Sequence, residues 1–192
     1  MNLGYIFLAI VLILTIVLRL LELLIAKKNR NLRIQNPQTH ETKERYFVFF
    51  VLLHSMFLIS VPLEVILFKR DFSNYGGMIF GGIYLFCLIL RFHVLKILNT
   101  SWNTKIITDT SPDSIVTKGV YRFIRHPNYL VVILEILSIS LIHNAYLTFI
   151  FFSVGNAILL AFRIPLEESK LFQNHKYQEH FADKKRFLPG IF

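Results

Sequence analysis

The fold class that this sequence predicts is all-α: a polytopic integral membrane protein of about five transmembrane helices. Two observations carry that expectation. The 192-residue chain is 54% hydrophobic and only 17% charged, where a soluble domain carries about 25% charged residues. Its apolar residues are also clustered into runs near the roughly 20 residues that a helix needs to cross the hydrocarbon core. The length suits one domain spanning 1–192. Residues 1–98 hold three N-terminal spans, and residues 99–192 hold a long loop, a helical hairpin and a polar tail.

Span one runs from about Leu3 to Ile25, span two from Tyr46 to Phe68, and span three from Met78 to Leu98. The first run is too long for a signal-peptide core and has no small-residue cleavage site after it. Gly76-Gly77 and Gly81-Gly82 open span three with a small-residue patch suited to close helix packing. Cys87, the single cysteine, reads as a buried inert thiol. Spans four and five, Tyr129 to Ile142 and Tyr146 to Phe162, are separated only by His143, Asn144 and Ala145. They form a tight hairpin whose first helix, at about 21 Å, falls short of the roughly 30 Å core. The hairpin therefore either stops inside the membrane or borrows neighbouring residues. The tail after Leu166 reads as an amphipathic helix ending before Pro189.

The net charge of +9 does not indicate nucleic acid, because the basic residues lie between the apolar runs. Eighteen Lys and Arg fall on the side of the two long loops and the tail, against Lys69 and Arg70 on the other. The positive-inside rule then puts the C-terminus in the cytoplasm and the N-terminus outside, and the cell (plasma) membrane is the expected location. Arg19, Glu22, His54, Glu64, Arg91 and Glu135 lie in or near apolar spans. Each costs about 2.5 kcal/mol or more at the bilayer centre, so each is expected to face the interior and pair. Arg19 or Arg91 with Glu22 or Glu64 are the natural partners; the alternative is a polar lining for an acceptor cavity.

Two constellations carry chemistry. The first is Gly119-Val120-Tyr121-Arg122-Phe123-Ile124-Arg125-His126-Pro127-Asn128-Tyr129. Gly119 permits a turn, and Pro127 suits the first turn of a helix. Backbone donors at that helix start can hold a carboxylate, with Arg125 and His126 adding donors. Tyr121 and Tyr129 can pack on an adenine or cover a sulfonium. The stretch serves equally well as the basic aromatic collar common at membrane interfaces. The second is Arg163-Ile164-Pro165-Leu166-Glu167-Glu168. Arg163 and Glu167 share a helix face, while Pro165 between them predicts a kink or a helix end. The pair reads as a surface ion pair or as a clamp, in which Glu167 accepts from a ligand and Arg163 holds an anion.

Together these pieces resemble the isoprenylcysteine carboxyl methyltransferase family, in particular its short prokaryotic members. The resemblance rests on Ser114 to Tyr121, on Arg125-His126-Pro127-Asn128-Tyr129, on Arg163-x-x-x-Glu167-Glu168, and on Leu171, Tyr177 and Pro189. It covers about half the chain, from Trp102 onward. Arg19-x-x-Glu22 before Asn29 is reminiscent of the same subgroup. What it implies is a cytosolic pocket for S-adenosylmethionine contacted by Asp113, Ser114, Ile115, Val116, Tyr121, His126, Pro127, Asn128, Tyr129 and Glu167. Asp113 stands where eukaryotic members tend to carry His. Arg163 would face a lipid-like or prenylated methyl acceptor drawn from among the membrane lipids. Arg163 and Glu167 are thus the catalytic candidates.

The implied reaction is O-methylation of a carboxylate or a hydroxyl. A hydroxyl acceptor needs a base, for which Glu135, Glu64 or His54 are candidates. A phospholipid N-methyltransferase is the first alternative, and an NADPH-dependent sterol-reductase-like enzyme the second. None of the eight glycines forms a Gly-x-Gly-x-x-Gly turn, which excludes a Rossmann-type methyltransferase. His175 and His180 lack metal-ligand spacing, so no metal is expected.

The orientation is directly testable. In a Cys87→Ser background, single cysteines at Asn2 and Gly190 should label from outside and from the cytoplasm respectively. Cytoplasmic labelling at Asn2 would refute the five-span orientation.

Overall fold

A computed structural model describes residues 3–111 and 114–189. Its elements are α1 (Leu3–Arg33), β1 (Thr39–Glu41), α2 (Phe47–Leu67), α3 (Asn74–Leu98), β2 (Ile107–Asp109), α4 (Pro127–Leu141), α5 (Tyr146–Leu171) and α6 (His175–Phe181). The class is all-α, with β1 and β2 forming one small antiparallel ribbon. Helices α1, α2, α3 and α5 are each long and apolar enough to cross a membrane, and the 15-residue α4 is shorter. The architecture is that of a polytopic membrane protein.

The chain forms two compact units, each assembled from three separated segments. The first holds Met1–Leu21, Tyr46–Ile89 and Val132–Leu159. Its core packs Leu8, Val11 and Leu12 of α1 against Phe57, Val61 and Val65 of α2. Tyr84 of α3, Ile136 and Ile139 of α4, and Phe152 of α5 complete it. Hydrocarbon offers no water to satisfy polar groups, and the charged side chains and several polar ones in this unit are partnered internally. Thr15 shares a 2.7 Å hydrogen bond with the Tyr84 hydroxyl. Arg19 pairs with Glu135 of α4. His54 Nδ1 donates to the Phe50 carbonyl at 2.7 Å. Glu64 accepts from Arg70 at 2.8 Å and from the backbone N–H groups of Leu147 and Thr148 at 3.2 and 2.7 Å. It thereby occupies orphan donors in the first turn of α5, where the helix dipole favours an anion.

The turn between α4 and α5 explains how a short helix is tolerated. Ile142, His143 and Ala145 are buried within the protein. His143 Nε2 donates to the Gly4 carbonyl at 2.8 Å, and Asn144 Nδ2 to the Asp71 carbonyl at 2.8 Å. Asn144 adopts φ 55°, the left-handed region that Asn tolerates better than most residues. Non-helical backbone buried in protein is permitted at membrane depth, so this turn has no need to reach water. The glycine patch packs less than expected: a Cβ on Gly77 would meet the Phe72 ring at 2.5 Å, whereas Gly82 has nothing within 4 Å.

Of the two outcomes expected at Pro165, a kink or a helix end, α5 excludes the end. It continues through Pro165 to Leu171 instead of ending there. Proline removes one backbone bond, but Arg163 before it and Glu168 after it are both tied into packed surroundings. Its 26 residues span about 39 Å at 1.5 Å per residue, more than the core requires.

The second unit holds Glu22–Arg45, Leu90–Val131 and Leu160–Phe192. Arg91 of α3 grips both oxygens of Glu22 at 3.0 Å, each side chain being 5% exposed. Asn29 donates to the carbonyls of Asn99 and Trp102, both at 2.8 Å. Arg33 donates to Ser101 and Ile107. These bonds explain why α1 runs on to Arg33, eight residues past its apolar run: the polar turns bind the loop after α3. In the ribbon, Glu41 takes Arg30 at 2.7 Å and Lys105 at 2.9 Å. Burial pushes its carboxyl up, but the two cations outweigh it and hold it below the usual range.

Removing one partner of a buried ion pair strands the other charge, at a cost of about 3–5 kcal/mol. Glu22→Ala should therefore lower the thermal midpoint sharply in detergent. The double variant Glu22→Leu with Arg91→Leu should recover most of the loss.

Candidate functional site

Gly119 opens the site. Its φ is +58°, a conformation that side chains resist. A Cβ there would also lie 2.1 Å from Ile97 Cδ1 and 2.7 Å from His93 Nε2. Only glycine lets the chain pass α3 closely and then wind through the 3₁₀ turn Gly119–Arg122 into α4. Upstream, Asp109 accepts from the Ser111 backbone at 2.8 Å and from its hydroxyl at 2.6 Å. Burial opposes ionisation of Asp109, but the Ser111 bonds and the Arg33 charge hold its carboxyl below the ordinary range. Ser114 donates to the carbonyls of Asp109 and Ser111, and Asn174 ties Ser111 from the tail at 3.1 Å. Ser114, Ile115 and Val116 are half-buried on this clamped loop. Asp113 lies outside the described residues.

The tail departs from a simple amphipathic helix. Asn174 caps α6 by accepting from Lys176 and Tyr177, and the helix ends at Phe181, eight residues before Pro189. The chain then turns and pairs with the Arg125-His126 segment. Arg125 N–H donates to Lys185 O at 3.0 Å, and His126 N–H to Arg186 O at 2.9 Å. Backbone pairing with residues far upstream, not helical periodicity, sets this segment's conformation.

The two adjacent acids of α5 do different things. Consecutive helix residues point about 100° apart. Glu168 is 7% exposed and gathers three donors. His126 Nε2 donates at 3.0 Å, Arg125 at 3.3 Å, and Arg186 at 3.2 and 2.7 Å to its two oxygens. Arg125 also donates to Ala182 O and lies 5.2 Å from the Phe172 ring centre. Arg125 and His126 therefore spend donors on Glu168. Sequence reasoning gave Glu168 no role of its own.

Glu167 faces a cluster of aromatic hydroxyls. Tyr129 donates to its Oε2, and the His126 ring stacks on Tyr129 at 5.3 Å. Burial and the Glu167 charge push the Tyr121 and Tyr177 hydroxyls well above their ordinary range, so both stay neutral donors. Arg163 lies with its guanidinium 5.8 Å from the centre of the Tyr129 ring. It donates to Thr104 O at 2.5 Å and stands 3.5 Å from Glu44 Oε2. The guanidinium side chain is 11% exposed, so Arg163 is a buried group and not part of a surface pair. Glu44, at the end of the α1–α2 connection, is a site residue that sequence reasoning missed.

The Tyr177 hydroxyl in this cluster, and Asn128 Oδ1 in the first turn of α4, are buried and lack partners among the described residues. Such groups cost about 1–3 kcal/mol when left unsatisfied. A polar ligand with its own donors and acceptors would satisfy them, and a cationic ligand would suit the Glu167 carboxylate within its tyrosines.

Comparison with known proteins relates the sequence to a family. The family model described as isoprenylcysteine carboxyl methyltransferase (ICMT) family matches residues 79–173. The chain belongs to the isoprenylcysteine carboxyl methyltransferase family. Uncharacterized protein YpbQ of Bacillus subtilis (strain 168) is 36% identical over 156 residues, covering 81% of this chain and 91% of that one. The matched region runs from α3 to the end of α5 and includes both motif constellations. As a member of the ICMT family, the protein is an integral membrane methyltransferase. Glu44 lies outside the segment that the ICMT model matches.

The Glu168 junction makes a structural forecast. Glu168→Ala leaves the Arg125 and Arg186 guanidiniums and the His126 ring without their shared acceptor, and should cost about 3 kcal/mol. Amide hydrogen exchange at Arg125 and His126, whose N–H groups pair with the tail, should rise by orders of magnitude. Unchanged protection there would mean that the tail is held by something else.

Proposed function

We propose that the protein transfers a methyl group from S-adenosylmethionine to a lipid-like acceptor on the cytoplasmic side of the cell membrane. The observation that carries this reading is the Glu167 carboxylate set among Tyr121, Tyr129 and Tyr177, with the Tyr177 hydroxyl buried and unpartnered. The stretch from Asp113 to Tyr129, together with Glu167, would hold the donor. S-adenosylmethionine supplies an electrophilic methyl group on a sulfonium. The chain's own work is to bind, orient and exclude water. Alignment of nucleophile and methyl can supply about 7–11 kcal/mol.

Arg163 would present the acceptor oxygen. Its guanidinium is steadied by the Thr104 carbonyl, the Tyr129 ring and Glu44, and a fork of fixed donors suits a carboxylate or a developing oxyanion. The excess of basic residues between the spans supports an external N-terminus and a cytoplasmic C-terminus.

His126→Ala and Glu167→Ala should each weaken binding of S-adenosylhomocysteine by about 1.5–3 kcal/mol, the range for hydrogen bonds to charged groups. Arg163→Lys keeps the charge and loses the fork, so it should bind near normally and lose most turnover. Affinity and methyl-transfer rate are to be measured on one detergent preparation, with NADPH as the rival ligand. Wild-type affinity in folded His126→Ala and Glu167→Ala, or tight NADPH binding, would overturn the assignment.

A further inference from the structure

We infer that Glu44 is the general base of this site, and that the methyl acceptor is a lipid-borne hydroxyl. The inference rests on the methyltransferase reading above and adds a residue and a substrate class to it.

Glu44 and Glu41 lie three residues apart on the connection between α1 and α2, and their surroundings differ. Glu41 is held ionised by Arg30 and Lys105, at 2.7 and 2.9 Å. Glu44, its side chain 6% exposed, receives the Ile106 N–H on Oε1 at 2.7 Å. Its Oε2 has only a loose approach from Arg163 at 3.5 Å, well beyond the 2.7–2.9 Å of a charge-assisted bond. An ionised carboxyl has about four acceptor sites, so Oε2 retains room for a substrate proton. Burial pushes the Glu44 carboxyl up. The Arg163 charge, the Ile106 N–H and Lys105 oppose this, and the Glu167 charge adds to it; the net result lies above the usual range. Neighbouring carboxyls whose environments drive them apart are a mark of acid–base assignment.

The same charges select the acceptor. An ionised carboxylate acceptor would have to enter beside both Glu44 and Glu167. An ammonium acceptor would meet the buried Arg163 guanidinium. A neutral hydroxyl meets neither penalty, and the charge that develops on its oxygen faces Arg163. The candidate bases read from the sequence are occupied elsewhere: Glu135 pairs with Arg19, Glu64 with Arg70 and the start of α5, and His54 with a backbone carbonyl.

The step balances. The acceptor O–H bond breaks and its proton passes to Glu44 Oε2. The acceptor oxygen forms a bond to the methyl carbon. The sulfur–methyl bond of the sulfonium donor breaks, and its electron pair stays on sulfur as a neutral thioether. Glu44 then returns the proton to water, leaving a methyl ether.

The test compares wild type with Glu44→Gln, which keeps the Ile106 bond, and with Glu41→Gln as a control on the same loop. The acceptors are a long-chain alkyl phenol, a farnesylated N-acetylcysteine and a long-chain amine. S-adenosylhomocysteine binding reports whether each variant is folded. Glu44→Gln should bind it normally and lose about 10²- to 10⁴-fold in transfer to the phenol. In wild type the rate should rise as pH rises through the Glu44 ionisation, because the base works deprotonated. That limb should vanish in Glu44→Gln and persist in Glu41→Gln. Without donor, infrared difference spectra with bound phenol should show a protonated-carboxyl band titrating above the ordinary carboxylate range, absent from Glu44→Gln. Wild-type turnover in Glu44→Gln, or wild-type preference for the farnesylcysteine or the amine, overturns the proposal and leaves the methyltransferase reading standing. Failure of wild type to bind S-adenosylhomocysteine overturns both.

Discussion

The Glu168 carboxylate receives hydrogen bonds from Arg125, His126 and Arg186 at once, and the geometry around the candidate site depends on that junction. These donors come from the segment before α4 and from the tail, and the acceptor from α5. A buried anion satisfied on several sides is costly to disturb. With the backbone pairs Arg125 to Lys185 and His126 to Arg186, it sets the entry of α4, and hence where Tyr129 stands. Tyr129 then links the two other side chains of interest: its hydroxyl reaches Glu167 and its ring lies beneath Arg163.

The protein keeps its charges by local satisfaction rather than by avoiding them. In the first unit Arg19 meets Glu135, and Glu64 serves Arg70 and the first turn of α5. In the second, Arg91 meets Glu22. Each pairing joins groups from different helices or caps a helix start, which also fixes how helices rotate about their axes. Hydrophobic burial cannot do this among lipid-facing helices, because lipid tails are as apolar as the side chains they contact. Glu44 is a different case, since its Oε2 is approached only loosely.

Much of this protein was legible in its sequence. Five apolar runs appear at their places, because the length and composition of a membrane helix follow directly from bilayer thickness. The close spacing of Arg125 to Tyr129, and of Arg163 to Glu168, marked both constellations before any coordinates. A helix brings residues four apart to one face, so Arg163 and Glu167 were already neighbours. The Arg91–Glu22 pairing was among those the sequence suggested, because two opposite charges in apolar spans have few other ways to be stable.

What only the tertiary structure decided were the relations that no short-range rule contains. Adjacency in sequence could not say that Glu167 serves the tyrosines while Glu168 holds the tail. That division comes from the angle between neighbouring helix positions and from what is packed against each. The continuation of α5 through Pro165 reflects side-chain ties on both sides of the proline, which outweigh one missing backbone bond. The tail's path after α6 depends on partners about sixty residues upstream. Glu44 lay in a polar connection among other charged residues, with nothing local to distinguish it from Glu41. Burial, and the approach of Arg163 from another element, give it a different character. Local sequence determined which segments are helical and which side chains carry charge; long-range packing determined which of those charges meet.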